Sequence, residues 1–414
     1  MAKLTPNKTR LLAVLAIIGP GIIAASAGND SGGISTYSVA GARYGYKMLW
    51  MMVLMTPAFI IIQEMAGRMG AVTGKGLAAL IRERFGVRPT FVAMLLLLAS
   101  NAATTVAEFA GVAAAMELFG VSRLLSVPIA AVVVWLLVVR GSYRNVEKVL
   151  LALSSVFIAY IVSAFMAKPD WLAVGHAMVV PTVVPEVGFI ALAIGLTGTT
   201  IAPWMQFLVQ SNIVDKGTSI KEWRIARFDI MAGALVANVV AIFIIITTGA
   251  VLHPAGIAIT DAGQAAGALA PLAGSYATIL FAIGLLAASV LSAAVLPLTA
   301  SYAICEAFGW ESGLDRDWSE APVFNGLYTF IIFFAAAIIL IPHLNLIAIM
   351  LVSQVVNGMM LPFLLIFMMV IINDRRIMGR YVNGRVHNIL AWSTIVIAIS
   401  LTVLLLGMTV LGYG

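Results

Sequence analysis

One acidic residue of this chain, Asp30, lies in an apolar stretch that glycine and serine interrupt. A carboxylate at membrane depth costs roughly 2.5–3.5 kcal/mol on insertion scales, so such a residue is usually retained for a function. Nearby Gly28, Gly32 and Gly33 weaken a helix and free backbone carbonyls, which membranes tolerate only where the backbone lines a cavity. A carboxylate beside unpaired carbonyl oxygens predicts a cation site.

A second apolar stretch is interrupted in a similar way between residues 195 and 203. It contains Gly195, Gly198, three threonines and Pro203, and proline removes a helical hydrogen bond and clashes with the preceding turn. Two interrupted helices five spans apart are typical of an inverted five-plus-five repeat, whose substrate binds at the membrane midplane between the breaks. Two ordinary helix kinks are the simpler alternative.

Two further spans carry polar side chains along one helical face. In the third span these are Asn101, Thr104, Thr105 and Glu108, at i, i+3, i+4 and i+7. They could line the site or an ion pathway, or bond neighbouring helices with a neutral glutamate. In the tenth span, Gln354 and Asn357 share a face, and their amides suit either a cation with its waters or a neighbouring helix.

The histidines and the cysteine lie away from the breaks, and methionine near them, such as Met205, is usually plain apolar packing. The four histidines fall in loops or at span ends: His176, His253, His343 and His387. The single cysteine, Cys305, also lies at a span end. Transition-metal sites normally use such donors, whereas carboxylate, carbonyl, amide and hydroxyl oxygens suit a hard cation such as Mg²⁺, which keeps several waters. We expect a divalent metal ion as substrate and no cofactor.

Composition places these residues in a membrane. The chain is 62% hydrophobic and 10% charged over 414 residues, which indicates a polytopic, all-α membrane protein. Eleven apolar spans can each cross a bilayer of about 30 Å. They cover about 11–28 (continuing past the break to about 41), 48–66, 91–118, 124–140, 149–167, 187–213, 228–252, 276–305, 323–342, 345–373 and 388–412.

Short loops join the spans, so residues 1–414 are predicted to form a single transmembrane domain. The first repeat covers about 11–167, the second about 187–373, and an extra helix about 388–412.

The basic residues predict the orientation. With the N-terminus inside, every Lys and Arg of the 24 falls on the inner side except Arg43, Lys47, Arg123 and Lys168. This asymmetry predicts a multi-pass protein of the cell membrane with a cytoplasmic N-terminus and an extracellular C-terminus. A cleaved signal peptide at the start is an alternative, but its removal would shift every later loop against the charge pattern. The net charge of +6 reflects these loops and predicts no nucleic-acid partner.

Several segments resemble the NRAMP divalent-metal transporters. The matching motifs are Gly19-Pro20-Gly21, Asp30 and residues 45–50 in the first helix, residues 63–74 in the second, residues 198–203 in the sixth, and residues 353–356 and 361–363 in the tenth. The resemblance implies a LeuT-type fold with helices 1 and 6 broken, a substrate that is a divalent metal ion, and a monomer in the lipid bilayer.

The departures from the family pattern concern its metal ligands. The first-helix motif of the family reads D-P-G-N, and here Gly33 replaces the asparagine ligand. The sixth-helix motif reads G-A-x-x-M-P-H-N. Here Ala202 replaces the methionine, Trp204 replaces the histidine linked to proton movement, and Met205 replaces the asparagine.

The third helix also departs from the family, which has an aspartate and a glutamate where this chain has Thr105 and Glu108. Each change removes a transition-metal ligand or a titratable group, or enlarges the site. This pattern is similar to the NRAMP-related magnesium transporters.

The resemblance implies a set of ligands. Asp30 would be the acidic ligand, Thr199 would supply a backbone carbonyl, and Gln354 would supply an amide. Gly33 and Ala202 would leave space for hydration water. Spacing alone, without the resemblance, adds one more ligand, Asn357.

The predicted function is uptake of partly hydrated Mg²⁺, and also of Mn²⁺, by alternating access without proton coupling. A proton-coupled transporter of Mn²⁺ or Fe²⁺ is the first alternative. Others are a carrier of amino acids or other organic solutes on the same fold, and a magnesium channel. The chain shows no nucleophile–base pair within its spans, so we do not expect an enzyme.

Overall fold

The computed structural model describes residues 29–139, 155–220, 222–313, 316 and 318–411. The predicted first half of span one (11–28), the possible signal peptide and the start of span five (149–154) lie outside the described residues. All regular secondary structure within these residues is helical.

The helices of the first half of the chain are α1 (Ser31–Tyr44), α2 (Leu49–Thr73), α3 (Leu77–Phe85), α4 (Val87–Leu118), α5 (Arg123–Val139), α6 (Ala159–Met166, after a 3₁₀ turn at Ser155–Ile158) and α7 (Trp171–Val179). The helices of the second half are α8 (Val187–Thr200), α9 (Pro203–Asp215), α10 (Trp223–Val251), α11 (Ala277–Phe308), α12 (Pro322–Ile339), α13 (Leu346–Ile372) and α14 (Arg385–Val410). Shorter helical pieces are Ala262–Ala266, Gly267–Leu269, Ala270–Ala273, Gly274–Tyr276, Arg375–Met378 and Gly379–Tyr381.

Eight helical stretches within the described residues are long and apolar enough to cross a membrane. They correspond to α2, α4, α8 with α9, α10, the stretch that ends with α11, α12, α13 and α14. The prediction of a polytopic all-α membrane protein is therefore confirmed. The division into two repeats and the orientation of the termini stay predictions.

Two helices fall outside the predicted spans. α7 begins after Asp170, whose carboxylate accepts from the backbone N–H groups of Leu172 and Ala173 at 2.9 and 3.2 Å. α3 begins after Gly76, whose N–H donates to the Glu306 carboxylate of α11 at 2.8 Å. Both helices have nine residues, which is too short to span a bilayer. They are therefore absent from the spans that hydropathy predicts.

Glycines let helices approach closely around the interior. A Cβ at Gly198 in α8 would overlap the backbone of Gln354 and Gly358 in α13. A Cβ at Gly41 in α1 would overlap Thr248 and the backbone of α10. Small residues at such crossings let helix backbones pack directly in membranes. These contacts hold α8 against α13, the tenth predicted span, and α1 against α10, the seventh. They therefore place the break that follows α8 beside the tenth span.

A buried glutamate joins several helices at one end of the bundle. Glu64 of α2, whose side chain is 4% exposed, pairs with Arg68 at 3.3 Å, Arg227 of α10 at 3.5 Å and His387 of α14 at 3.7 Å. The Arg68 guanidinium also donates to the backbone carbonyl of Tyr381 at 2.8 Å. This network joins α2, α10 and α14 at one end of the molecule.

Candidate metal site

The break in the sixth span separates α8 from α9. The last helical turn of α8 closes with the bond from Ile201 N–H to the Thr197 carbonyl at 3.0 Å. The Thr199 carbonyl would take its helical partner from Pro203, which has no N–H. The carbonyls at a helix C-terminus carry the negative end of the helix dipole. The break therefore presents backbone oxygen that favours a cation.

Asp30 is the N-cap of α1. Its backbone is extended, and its Oδ1 accepts a hydrogen bond from the Gly33 N–H at 2.6 Å. The side chain is buried, and the N–H groups of the first helical turn stabilise its negative charge. This local role explains how a carboxylate persists here. Among the described residues, Oδ2 accepts from no backbone N–H.

Gln354 of α13 faces this carboxylate. Its Nε2 lies 3.5 Å from Oδ1 and 3.4 Å from Oδ2 of Asp30, and its side chain is fully buried. A Cβ at Gly32 would overlap this nitrogen. Gly32 therefore provides the space in which the amide meets the carboxylate.

Thr199 approaches the same place from α8. A Cβ at Gly33 would lie 2.6 Å from Thr199 Oγ1 and 3.0 Å from Asp30 Oδ1. Thr199 Oγ1 is buried without a hydrogen-bond partner among the described residues. The space that the sequence analysis assigned to hydration water at Gly33 thus holds a hydroxyl and a carboxylate oxygen. Thr199 offers this hydroxyl in addition to its carbonyl.

The polar face of α4 bonds three different helices. Glu108 Oε2 accepts from the N–H and Oγ of Ser31 in α1 at 3.3 and 2.9 Å. Asn101 donates to the Leu296 carbonyl of α11 at 3.1 Å, and Thr104 contacts α13. Three positions of this face therefore make interhelical hydrogen bonds, as one of the two interpretations expected.

The fourth position of that face, Thr105, bonds within its own helix, to the Asn101 carbonyl at 2.7 Å. Glu108 retains one oxygen, Oε1, that is buried without a partner in the described part of the chain. Through Ser31 it lies one residue from Asp30.

Asn357 lies behind Gln354 and not beside Asp30. Its Nδ2 donates to Gln354 Oε1 at 3.1 Å and to Thr104 Oγ1 at 3.0 Å. Its Oδ1 accepts from Ser100 Oγ. The structure thus places Asn357 among partners that occupy both ends of its amide, and its role as a direct metal ligand stays a prediction.

The residues at the start of α9 are all buried. Ala202 is the N-cap, and its carbonyl accepts from Met205 N–H at 3.2 Å. The Trp204 indole nitrogen has no hydrogen-bond partner among the described residues. No hydrogen bond joins Trp204 or Met205 to Asp30 in the part of the chain that the structure describes.

Tyr37, a residue absent from the predicted site, connects α1 to the end of α8. Its hydroxyl lies 3.1 Å from Thr200 Oγ1 at the end of α8, and its ring lies 3.5 Å from a Cβ placed at Gly33. The spacing of seven residues from Asp30 puts both on one side of α1, and this signal was available in the sequence.

The donors gathered here are oxygen and amide. Within the described residues, no group of three or more His, Cys, Asp or Glu side chains is close enough to hold a metal ion. A site built from Asp30, Thr199 and Gln354 has one carboxylate. It can attract a divalent cation and leaves coordination positions for water.

Comparison with a family model and with individual proteins gives the same family. A family model described as natural resistance-associated macrophage protein-like (Nramp) matches residues 21–407. The divalent metal cation transporter MntH of Deinococcus radiodurans is 29% identical over 411 residues, which cover 94% of this chain and 88% of that protein. MntH of Bacillus subtilis is 28% identical, covering 95% and 92%.

Solved structures show the fold. A manganese transporter of Eremococcus coleocola superposes with a TM-score of 0.75 at 23% identity, covering 99% of this chain and 88% of that one. MhsT in complex with L-phenylalanine superposes with a TM-score of 0.59 at 17% identity, covering 93% and 97%. These neighbours have the LeuT-like fold, so the predicted fold class is confirmed. Because the family model spans nearly the whole sequence, this chain belongs to the Nramp family.

Proposed function

We propose that this chain transports divalent metal ions across the cell membrane, and that the ion binds where Asp30, Thr199 and Gln354 meet. One observation carries the proposal: a buried carboxylate faces an interrupted helix whose terminal carbonyls lack helical partners. Ionisable groups within the membrane usually mark ion pathways. Family membership and the names of the MntH relatives support transport over an enzymatic role.

For the ion, we propose Mg²⁺ with part of its hydration shell. The candidate ligands are a carboxylate, a carbonyl, a hydroxyl and an amide, and such oxygen donors suit hard cations. Ala202 stands where the family has a methionine, so this position lacks the sulfur that would favour softer ions. Mn²⁺, a borderline ion that accepts oxygen ligands, is expected to enter as well.

Transport of Mn²⁺ as the main substrate is the second candidate. The solved neighbour from Eremococcus coleocola is a manganese transporter, and the relatives are named for divalent metal cations in general. This candidate requires the site to bind Mn²⁺ through oxygen and amide donors alone, which the site allows.

Proton coupling is not required energetically. A membrane potential of 100 mV contributes about 2.3 kcal/mol per charge, and so about 4.6 kcal/mol for a divalent ion. That corresponds to a concentration ratio of roughly a thousandfold. Trp204 stands where the family has a histidine linked to proton movement. We propose alternating access in which the interrupted helices move against the remaining bundle, driven by the potential.

The test uses purified protein in proteoliposomes that contain an Mg²⁺-sensitive dye. Asp30→Ala should abolish uptake of Mg²⁺ and Mn²⁺. Asp170→Ala is a matched control, since Asp170 also caps a helix through its carboxylate but lies at the exposed end of α7; it should retain uptake. Normal uptake by Asp30→Ala would contradict the site assignment.

A pH-sensitive dye inside the same vesicles tests coupling. At a clamped potential, Mg²⁺ uptake should proceed without acidification of the lumen. Acidification in proportion to ion uptake would favour the proton-coupled alternative. In that case the Glu108→Gln variant would show whether the buried carboxylate beside Ser31 carries the proton.

A further inference from the structure

The Gln354 amide faces the proposed cation site with its nitrogen and not with its oxygen. Its Oε1 accepts from Asn357 Nδ2 at 3.1 Å, so Nε2 points at the Asp30 carboxylate, 3.4 Å from Oδ2. An amide nitrogen only donates hydrogen bonds, whereas metal binding requires the amide oxygen. Something therefore holds the amide in the orientation that opposes ion binding.

The direction of the hydrogen bonds behind Gln354 is set by a backbone carbonyl. Thr104 Oγ1 lies 2.9 Å from the Ser100 carbonyl oxygen and 3.3 Å from Asn357 Oδ1. Its single proton goes to the nearer acceptor, the usual bond of a helical threonine to residue i−4. The hydroxyl oxygen must then accept from Asn357 Nδ2, at 3.0 Å. Ser100 Oγ donates to Oδ1 of the same amide, so both ends of Asn357 are paired in this orientation.

We propose that Ser100, Thr104 and Asn357 form a relay that holds Gln354 with its donor toward Asp30 and thereby lowers the affinity of the site for divalent ions. The proposal rests on the proposed function of Asp30 and Gln354 as ion ligands. The three relay residues are positioning residues, because they act on the ion only through the Gln354 amide. For an ion to bind the Gln354 amide oxygen, the amides of Gln354 and Asn357 must turn together. If Gln354 turned alone, its NH₂ group would face the NH₂ group of Asn357.

Burial makes this relay effective. Ser100, Thr104, Gln354 and Asn357 are fully buried, so water does not readily replace a bond that the relay loses. A Cβ at Gly32 would overlap Gln354 Nε2, so the sequence reserves space for the amide at this point. The orientation of the Gln354 amide is therefore decided by hydrogen-bond direction among these side chains, together with the Asp30 carboxylate that its nitrogen faces.

The relay predicts a gain of affinity when its anchor is removed. The apparent dissociation constant equals the intrinsic one divided by the fraction of molecules in the competent orientation. Thr104→Val preserves shape and removes the group that accepts from Asn357, so the orientation with the Gln354 donor toward Asp30 loses part of its advantage in free energy. We expect binding to tighten about three- to tenfold, the range that one buried hydrogen bond can produce.

The first measurement is calorimetric titration of the purified full chain in nanodiscs with Mg²⁺ and, separately, with Mn²⁺. Thr104→Val should bind more tightly than wild type. Thr104→Ser keeps the hydroxyl and is the matched control, with affinity unchanged. Tighter binding by Thr104→Val supports the relay, because loss of packing alone cannot produce a gain. Equal or weaker binding overturns it.

A double-mutant cycle tests whether the effect passes through Gln354. In a Gln354→Ala background, Thr104→Val should no longer change the affinity. A persistent gain overturns the relay, since Thr104 would then act by another route. Asn357→Asp provides a second variant: a carboxylate cannot donate to Gln354 Oε1, so binding should tighten, and Gln354→Ala should remove the part of that gain that exceeds simple charge attraction.

The two proposals fail differently. A wild-type chain that binds neither ion refutes the proposed function and the relay with it. A wild-type chain that binds an ion, with Thr104→Val and Thr104→Ser indistinguishable, refutes only the relay.

Discussion

Substitution of Gly33 by alanine tests the geometry of the site most directly. The added Cβ would lie 2.6 Å from Thr199 Oγ1 and 3.0 Å from Asp30 Oδ1, and real Cβ contacts almost never fall below 3.0 Å. Such overpacking costs about 1–3 kcal/mol. Replacing a helical glycine by alanine returns about 0.5–1 kcal/mol, so the net destabilisation is at most about 2.5 kcal/mol.

Gly33→Ala should weaken ion binding as well as lower stability. Thr199 Oγ1 or the Asp30 carboxylate must move to admit the methyl group, and both are candidate ligands. If the net cost of about 1.4 kcal/mol or more falls on the bound state, the affinity for Mg²⁺ drops about tenfold or more. Calorimetric titration and uptake into proteoliposomes measure this, and thermal unfolding of the same samples measures the stability.

Gly326→Ala is the matched control. Gly326 also lies within a helix, α12, but nothing lies within 4 Å of a Cβ at that position. This variant should bind and transport like the wild type and be slightly more stable. In Gly33→Ala/Thr199→Ala the hydroxyl that clashes is gone, so part of the lost stability should return. Equal affinity of Gly33→Ala and Gly326→Ala would refute the close approach of Thr199 to Asp30.

Three further predictions concern the bundle and its selectivity. Glu64→Gln should lower the unfolding temperature strongly, since breaking a buried ion pair costs about 3–5 kcal/mol. Glu83→Gln, at an exposed pair, should cost less than about 1 kcal/mol. Equal shifts of the unfolding temperature in the two variants would contradict the burial of the network. Ala202→Met should shift uptake toward Mn²⁺ and Cd²⁺ in competition with Mg²⁺, and unchanged competition would place selectivity elsewhere. Gly198→Ala should separate α8 from α13 and reduce the yield of folded protein, measured by size-exclusion chromatography beside Gly326→Ala.

The sequence predicts some features of this molecule because they depend on local physics. A carboxylate is costly in a membrane wherever the chain folds, so Asp30 is visible from its surroundings alone. The break before Pro203 is equally local, because proline cannot continue the bonding of α8. The apolar spans follow from the bilayer thickness, and they predicted every long helix in the described residues.

Other features depend on which helices meet. Gly32 matters because the amide of Gln354, more than 300 residues away in sequence, occupies the space above it. Spacing correctly placed Asn357 on the same face as Gln354, but the direction of its hydrogen bonds depends on Ser100 and Thr104 in another helix. No periodicity within one span contains that information.

The opposed helix ends explain why a single carboxylate can serve this site. Asp30 caps the N-terminus of α1, so without an ion its charge is stabilised by the Gly33 N–H and by the Gln354 amide. α8 ends beside it with carbonyl oxygens, which repel the carboxylate and attract a cation. A divalent ion bound at this junction, as we propose, would replace the weak donor contact of Gln354 and satisfy Asp30 and the end of α8 together. A second acidic ligand would add attraction, but it would also have to be buried without a partner whenever the ion leaves, at a cost that the helix ends avoid.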